Sequence, residues 1–331
     1  MTTKHLVDPE IVAMLDIFPR LQFTPDALPQ VRADLAAIGA TMAAAVPAFP
    51  DIAVTERQVP GPHGAPDVRV LVYLPHSTPR PLPALLWIHG GGYVVGTADQ
   101  DDAQVKGIVT QVGCAVVSVD YRLAPETPFP GPVEDCYAAL TWLYTHAAKL
   151  GIDPGRIAIG GASAGGGLAA GLGLLTRDRG EVPLAFQLLI YPMLDDRTVS
   201  TADPHPYTGE FLWTHDSNRF GWASLLGQEP GGADVSPYAA AARAERLAGL
   251  PPTYIGVGAL DLFLEEDLEY ARRLLREGVP TELHTYPGAF HGFDMMAESQ
   301  VARAHVRDSM DALRRALHPQ HDVTLAMPDP A

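Results

Sequence analysis

Short apolar runs alternate with amphipathic stretches over most of this chain, and the alternation predicts its architecture. ALLWI, CAVVSVD, RIAIGG, AFQLLIYP, PTYIGVGAL and ELHTYP have the length and composition of buried strands. Helical patterns over 99–112, 132–149, 164–178, 264–277 and 298–317 fall between and after them. Strands and helices in that order predict a mostly parallel sheet covered by helices on both faces. Upstream, IAVTERQV and VRVLVYL flank GPHGAPD, whose glycines and prolines suit a turn between antiparallel strands. Two helices are expected earlier still, each from a capping residue followed by proline: Asp8 with Pro9, and Thr24 with Pro25. Neither adjoins a parallel strand, so residues 1–50 should pack outside the sheet. The alternation breaks over 195–232, an irregular stretch with Phe211, Trp213, Phe220 and Trp222. Surface loops rarely carry so many large aromatics, so an inserted cap is expected there, dividing the core into 51–194 and 233–331.

The 331 residues fit one large domain with an insertion, and 47% hydrophobic against 19% charged residues allows a sizeable core. A formal charge of −16 argues against nucleic acid and anionic membrane as partners, because both require a basic surface. A neutral or apolar small molecule is the more natural ligand. No run approaches the roughly 18 apolar residues of a membrane-spanning helix. MTTKHLVDPEIVAML also lacks the pattern of a secretory signal. Cys114 and Cys136 suit buried, reduced thiols in a cytoplasmic protein, and no Cys/His cluster has metal-ligand spacing.

One segment sets a single serine among small residues: GGASAGGG, residues 160–167, at the turn from RIAIGG into a helix. A helix N-terminus can bind phosphate, but the detail is wrong for it. A Walker loop needs Lys and then Ser or Thr where Leu168 stands, and no register of 160–173 gives a dinucleotide fingerprint. The pattern that fits is G-x-S-x-G, with Gly161, Ser163 and Gly165. Such a nucleophile elbow forces the serine into a strained turn, and small residues two before and two after avoid a clash across it.

A serine hydroxyl needs a base to take its proton, and the oxyanion that forms needs fixed donors. HGGGY, residues 89–93, ends the strand ALLWI, and the N–H groups of Gly91 and Gly92 could converge with that of Ala164 on one oxygen. In an open α/β sheet the base should lie just beyond a strand, at its carboxyl end. His291, in PGAFHGF after ELHTYP, meets that condition, whereas His284 lies within the strand and His89 is better placed to brace the donor loop. His5, His63, His76, His146, His318 and His321 have no motif around them. For the orienting acid, Asp261 is the first acidic residue past PTYIGVGAL, with Asp195 or Asp196 after AFQLLIYP as the competitor. The following Glu265, Glu266, Asp267 and Glu269 look like a solvated helical face. The order Ser163, Asp261, His291 is that of the α/β-hydrolases.

With these residues in view, the sequence resembles the hormone-sensitive-lipase-like group of that superfamily, the bacterial family IV carboxylesterases. Six matches run in order: HGGGY, SVDYRLAPE at 118–126, GASAGGGLAA at 161–170, YPMLDDR at 191–197, GALDLFLEED at 258–267 and YPGAFHGF at 286–293. The resemblance implies an eight-stranded sheet, a helical cap built from residues 1–50 and 195–232, and ester hydrolysis without a cofactor. It also implies structural roles for Tyr121, Arg122 and Glu126, and pairing of the last strand where a homodimer forms. Many members carry an acidic residue where this chain has Ala162, which leaves all three catalytic positions intact. Tyr93, Phe211, Trp213 and Phe290 are the expected walls of the substrate pocket, an apolar lining being usual for small-ligand sites, with core packing within the cap as an equal alternative for Phe211 and Trp213. The same motifs allow an amidase, deacetylase or lactonase, because the pocket chooses the leaving group. A ligand-binding receptor on this fold is a further alternative, disfavoured by the intact serine, acid and histidine positions.

Overall fold

The computed structural model describes residues 2–17, 22–44 and 49–319; His321 lies outside them. Two helices open the chain, α1 (Met14–Ile17) and α2 (Leu28–Ala44). The sheet then begins with β1 (Ile52–Val59), β2 (Val68–Pro75) and β3 (Leu82–Ile88). There follow α3 (Asp102–Val112), β4 (Ala115–Asp120), α4 (Gly131–Leu150), β5 (Ile152–Ala162), α5 (Ala164–Arg179) and β6 (Phe186–Ile190). After an interruption containing α6 (His215–Leu226), the pattern resumes with β7 (Thr253–Gly258), α7 (Leu264–Arg276), β8 (Thr281–Tyr286) and α8 (Gln300–Leu317).

The eight strands form one sheet in the order β1-β2-β4-β3-β5-β6-β7-β8. Only β2 runs against its neighbours; every other pairing from β4 to β8 is parallel. Successive side chains of a strand point to opposite faces, and the core divides accordingly. Ala84, Leu86 and Ile88 of β3 join the α4, α5 and α7 side, while Leu85 and Trp87 join the α3 and α8 side. Both layers exclude water, which is why these strands read as continuous apolar runs rather than alternating ones.

The two early helices start later than expected. Thr24 does cap, accepting the Ala27 N–H on Oγ1 at 3.1 Å, but Pro25 lies in a turn and α2 begins at Leu28. Asp8 likewise accepts the Glu10 N–H at 2.8 Å and opens a run of turns, with α1 four residues long. Asx and hydroxyl turns use the same side-chain bond as a helix cap, so the local pattern could not separate them. The early segment nonetheless packs tightly. Val7, Ile11 and Met14 are buried in the α3 and α8 layer, and the Asp8 N–H donates to the Gly288 carbonyl at 3.0 Å.

Candidate active site

The strands β3, β5, β6, β7 and β8 are consecutive neighbours, so the loops at their carboxyl ends meet along one edge. Ser163 directly follows β5 and caps α5 with φ 57° and ψ −122°, outside the ordinary regions for a side chain with a Cβ. Its backbone is held by three bonds: its N–H donates to Ile190 O, and its carbonyl accepts from Gly167 and Met193. The small neighbours explain how the turn fits. A Cβ on Gly165 would lie 2.1 Å from Ile88 O, and one on Gly161 2.5 Å from the same oxygen. Gly166 and Gly167 make room for the segment just after β6, since their Cβ atoms would meet Pro192 and Met193 O.

The Ser163 hydroxyl faces His291, at 2.9 Å from Nε2, and Nδ1–H of His291 donates to Asp261 Oδ2 at 2.8 Å. The other carboxylate oxygen accepts the Phe263 N–H at 3.0 Å. Asp261 is fully buried, and Ser163 and His291 are 6% and 8% exposed. An acid that accepts on both oxygens fixes the imidazole with its bare nitrogen toward the serine, the tautomer a general base needs. The competing acids are engaged elsewhere. Asp196 is buried in an ion pair with Arg243 and accepts the Gly231 N–H, and Asp195 pairs with Arg197.

Beside the serine, the N–H groups of Gly91, Gly92 and Ala164 donate no hydrogen bond among the described residues. Gly91 and Gly92 have φ of 119° and 58°, which glycine adopts freely, and Ala164 opens α5 at the positive end of its dipole. The loop is braced from behind. His89 Nδ1–H donates to Gly90 O at 2.7 Å, and its ring stacks on Tyr121 with centroids 4.2 Å apart. Burial holds the His89 imidazole below its ordinary range, so it braces as a neutral ring. Tyr121 donates to His89 O, Arg122 grips buried Asp135, and Glu126 pairs with Arg32, whose guanidinium also reaches Val94 O and Ala124 O.

Of the expected pocket residues, Trp213 stands beside the glycine loop and the His291 ring. Its indole lies directly on Gly92, where a Cβ would come within 2.0 Å of Cη2, and 6.3 Å from the His291 ring. Phe211 is half-buried beside it. Tyr93 and Phe290 require correction, because both are fully buried. The Tyr93 hydroxyl donates to Met193 O and its ring packs on Trp222, so it ties the glycine loop to the segment after β6. Phe290 stands behind Phe211, centroids 5.7 Å apart. The sequence reading missed Tyr191 and Phe263, whose rings meet His291 edge-on at 4.8 and 5.1 Å. Their place was available: Tyr191 directly follows β6, between the strands that carry Ser163 and Asp261.

Of the α7 acids, Glu265 and Glu269 are exposed as expected, but Glu266 and Asp267 are buried. Glu266 is 8% exposed and accepts the Leu194 and Asp195 N–H groups and the Thr198 hydroxyl. Asp267 is fully buried, and neither oxygen is hydrogen-bonded among the described residues. Burial, then the nearby Glu266 and Asp261, push the Asp267 carboxyl well above its ordinary 3.8. A raised folded-state value means the native state holds a proton that the unfolded chain releases. The resulting stabilisation is complete below pH 3.8 and is lost as pH rises toward the folded value. Asp267→Asn should therefore raise Tm more at pH 8 than at pH 4, measured by thermal unfolding; an equal shift at both would contradict an uncharged Asp267.

The sequence profile of the α/β-hydrolase fold matches residues 85–295. The chain belongs to that family, in its hormone-sensitive-lipase-like carboxylesterase group. This hydrolase is similar to the esterase LipI of Mycobacterium tuberculosis strain H37Rv, 34% identical over 322 residues, covering 95% of this chain and 97% of that one. It is 35% identical over 318 residues to the carboxylesterase NlhH of the same organism, covering 94% and 97%. Among solved structures, a bacterial heroin esterase superposes with a TM-score of 0.91 at 45% identity, covering 96% of this hydrolase and 99% of that chain. The mostly parallel eight-stranded sheet expected from the sequence is thus the family's own architecture. No helix of the described residues is long and apolar enough to cross a membrane.

Proposed function

We propose that this hydrolase cleaves carboxylic esters of short to medium acyl chain through an acyl-enzyme on Ser163. His291 Nε2 takes the hydroxyl proton as Ser163 Oγ attacks the carbonyl carbon, and Asp261 stabilises the imidazolium. The N–H groups of Gly91, Gly92 and Ala164 receive the charge on the carbonyl oxygen. His291 then gives its proton to the departing alcohol oxygen, and water repeats the cycle to free the acid. The observation that carries this reading is the unbroken chain Asp261–His291–Ser163 beside three N–H groups with no acceptor among the described residues. It also disfavours a receptor that merely binds, for which no such alignment is required.

In this reading the cap comprises residues 1–50 and 195–232, and the core 51–194 and 233–331. Contacts of Phe23 with Trp213 and Phe220 favour that grouping. Phe211 and Trp213 wall the substrate. The buried, unpaired Cys114 and Cys136 suit a cytoplasmic protein, and a homodimer would pair β8, which ends the sheet. Esterases among the relatives favour an ester over an amide or lactone. A panel of esters graded by acyl length, with a matched amide and a lactone, tests this by kcat/KM. The highest values are expected for esters of short to medium chain; faster turnover of the amide or lactone would overturn the assignment.

A further inference from the structure

The segment that carries Trp213 is strained, and residues far away in sequence hold it. Leu212 has φ 54°, a left-handed conformation that a residue with a branched side chain seldom adopts, and the Trp213 N–H donates back to Phe211 O at 2.7 Å across it. Strain of this kind persists only where the surroundings over-determine it. After the turn, Trp213 Nε1–H donates to Asn218 Oδ1 of α6 at 3.1 Å. Before it stands Glu210, whose carboxylate accepts from the Thr3 N–H at 2.5 Å, the Thr3 hydroxyl at 2.6 Å and the Thr2 hydroxyl. Thr3 is 5% exposed, and the chain beyond it is anchored through Val7, Ile11 and Met14 in the core and through Asp8 at Gly288. The anchor is therefore fixed to the body of the protein and to the loop that carries His291.

We propose that Glu210 is a positioning residue: held by Thr2 and Thr3, it keeps the 211–213 turn in the conformation that lays Trp213 on Gly92, and so limits the size of the alcohol group the site accepts. The inference rests on the ester-hydrolysing reading of the Ser163 site. In that site the leaving alcohol oxygen must come within hydrogen-bond reach of His291 Nε2. The indole spans the gap between His291 and Gly92, so it borders the alcohol side of a bound ester. With the turn held, small alcohols fit and bulky ones meet the ring. Once the turn relaxes to negative φ, the ring leaves Gly92 and the distinction weakens.

The test compares kcat/KM for ethyl acetate and cyclohexyl acetate, which share an acyl group and differ in alcohol bulk. Measured on one sample, their ratio cancels any unfolded fraction. Glu210→Ala should lower the ethyl-to-cyclohexyl ratio about tenfold, with Thr3→Val, which removes only the hydroxyl, moving it the same way by less. Adding Leu212→Gly to Glu210→Ala should restore part of the ratio, because glycine removes the strain that drives the turn away from positive φ. A merely structural role for Glu210 predicts no such rescue. An unchanged ratio in both single variants, or no restoration by Leu212→Gly, overturns the proposal. Undiminished hydrolysis of ethyl acetate by Ser163→Ala would instead remove the site reading on which it rests.

Discussion

Ser163→Ala is expected to lower kcat for a short-chain ester by about 10⁴-fold or more, with Tm unchanged within about 2 °C. The size follows from the alignment. The hydroxyl stands 2.9 Å from His291 Nε2, beside N–H groups of Gly91, Gly92 and Ala164 that have no acceptor among the described residues, so its removal should end acyl transfer. What survives is the modest assistance that donors and binding give to direct attack by water. The fold should be indifferent, because serine and alanine share the same Cβ at φ 57° and the three backbone bonds of the turn need no hydroxyl. Steady-state kinetics and a melting curve on the same preparation check both halves.

The second large effect separates two acids. Asp261→Asn should lower kcat by about 10⁴-fold with little change in stability. The Phe263 N–H claims the amide oxygen, which turns the NH₂ group toward His291 Nδ1. The imidazole must then carry its proton on Nε2, where it can no longer accept one from Ser163. Asp196→Asn should do the reverse. It leaves the Arg243 guanidinium without its buried counter-charge, so Tm should fall by about 5 °C while turnover per folded molecule is kept. Kinetics normalised to folded protein, with Tm for each variant, distinguish them; a larger kinetic loss in Asp196→Asn would mean that the wrong acid had been assigned.

Why Ser163, Asp261 and His291 could be picked out together is visible in these contrasts. Each lies just beyond a parallel strand, and neighbouring strands bring such positions together whatever the loops do. The glycines of 160–167 were equally readable because close approach leaves no other residue possible. The buried acids of α7 were legible in principle: Glu266 and Asp267 share a helical face with Tyr270, Ala271 and Leu274, a period that outweighs their charge. Hidden from any local reading were the contacts made across long separations. Nothing near Glu210 indicates that Thr3 will meet it, and nothing near Gly92 indicates Trp213. The fate of Tyr93 was hidden for the same reason, since its partner Met193 lies 100 residues away.

The central claim is that Ser163 is the activated nucleophile, and a fluorophosphonate reagent followed by peptide mass mapping tests it most directly. One adduct is expected, on the peptide that contains Ser163, and it should disappear in Ser163→Ala and form far more slowly in His291→Ala. An adduct on a different serine, or labelling of Ser163→Ala equal to that of the unaltered protein, would contradict the account.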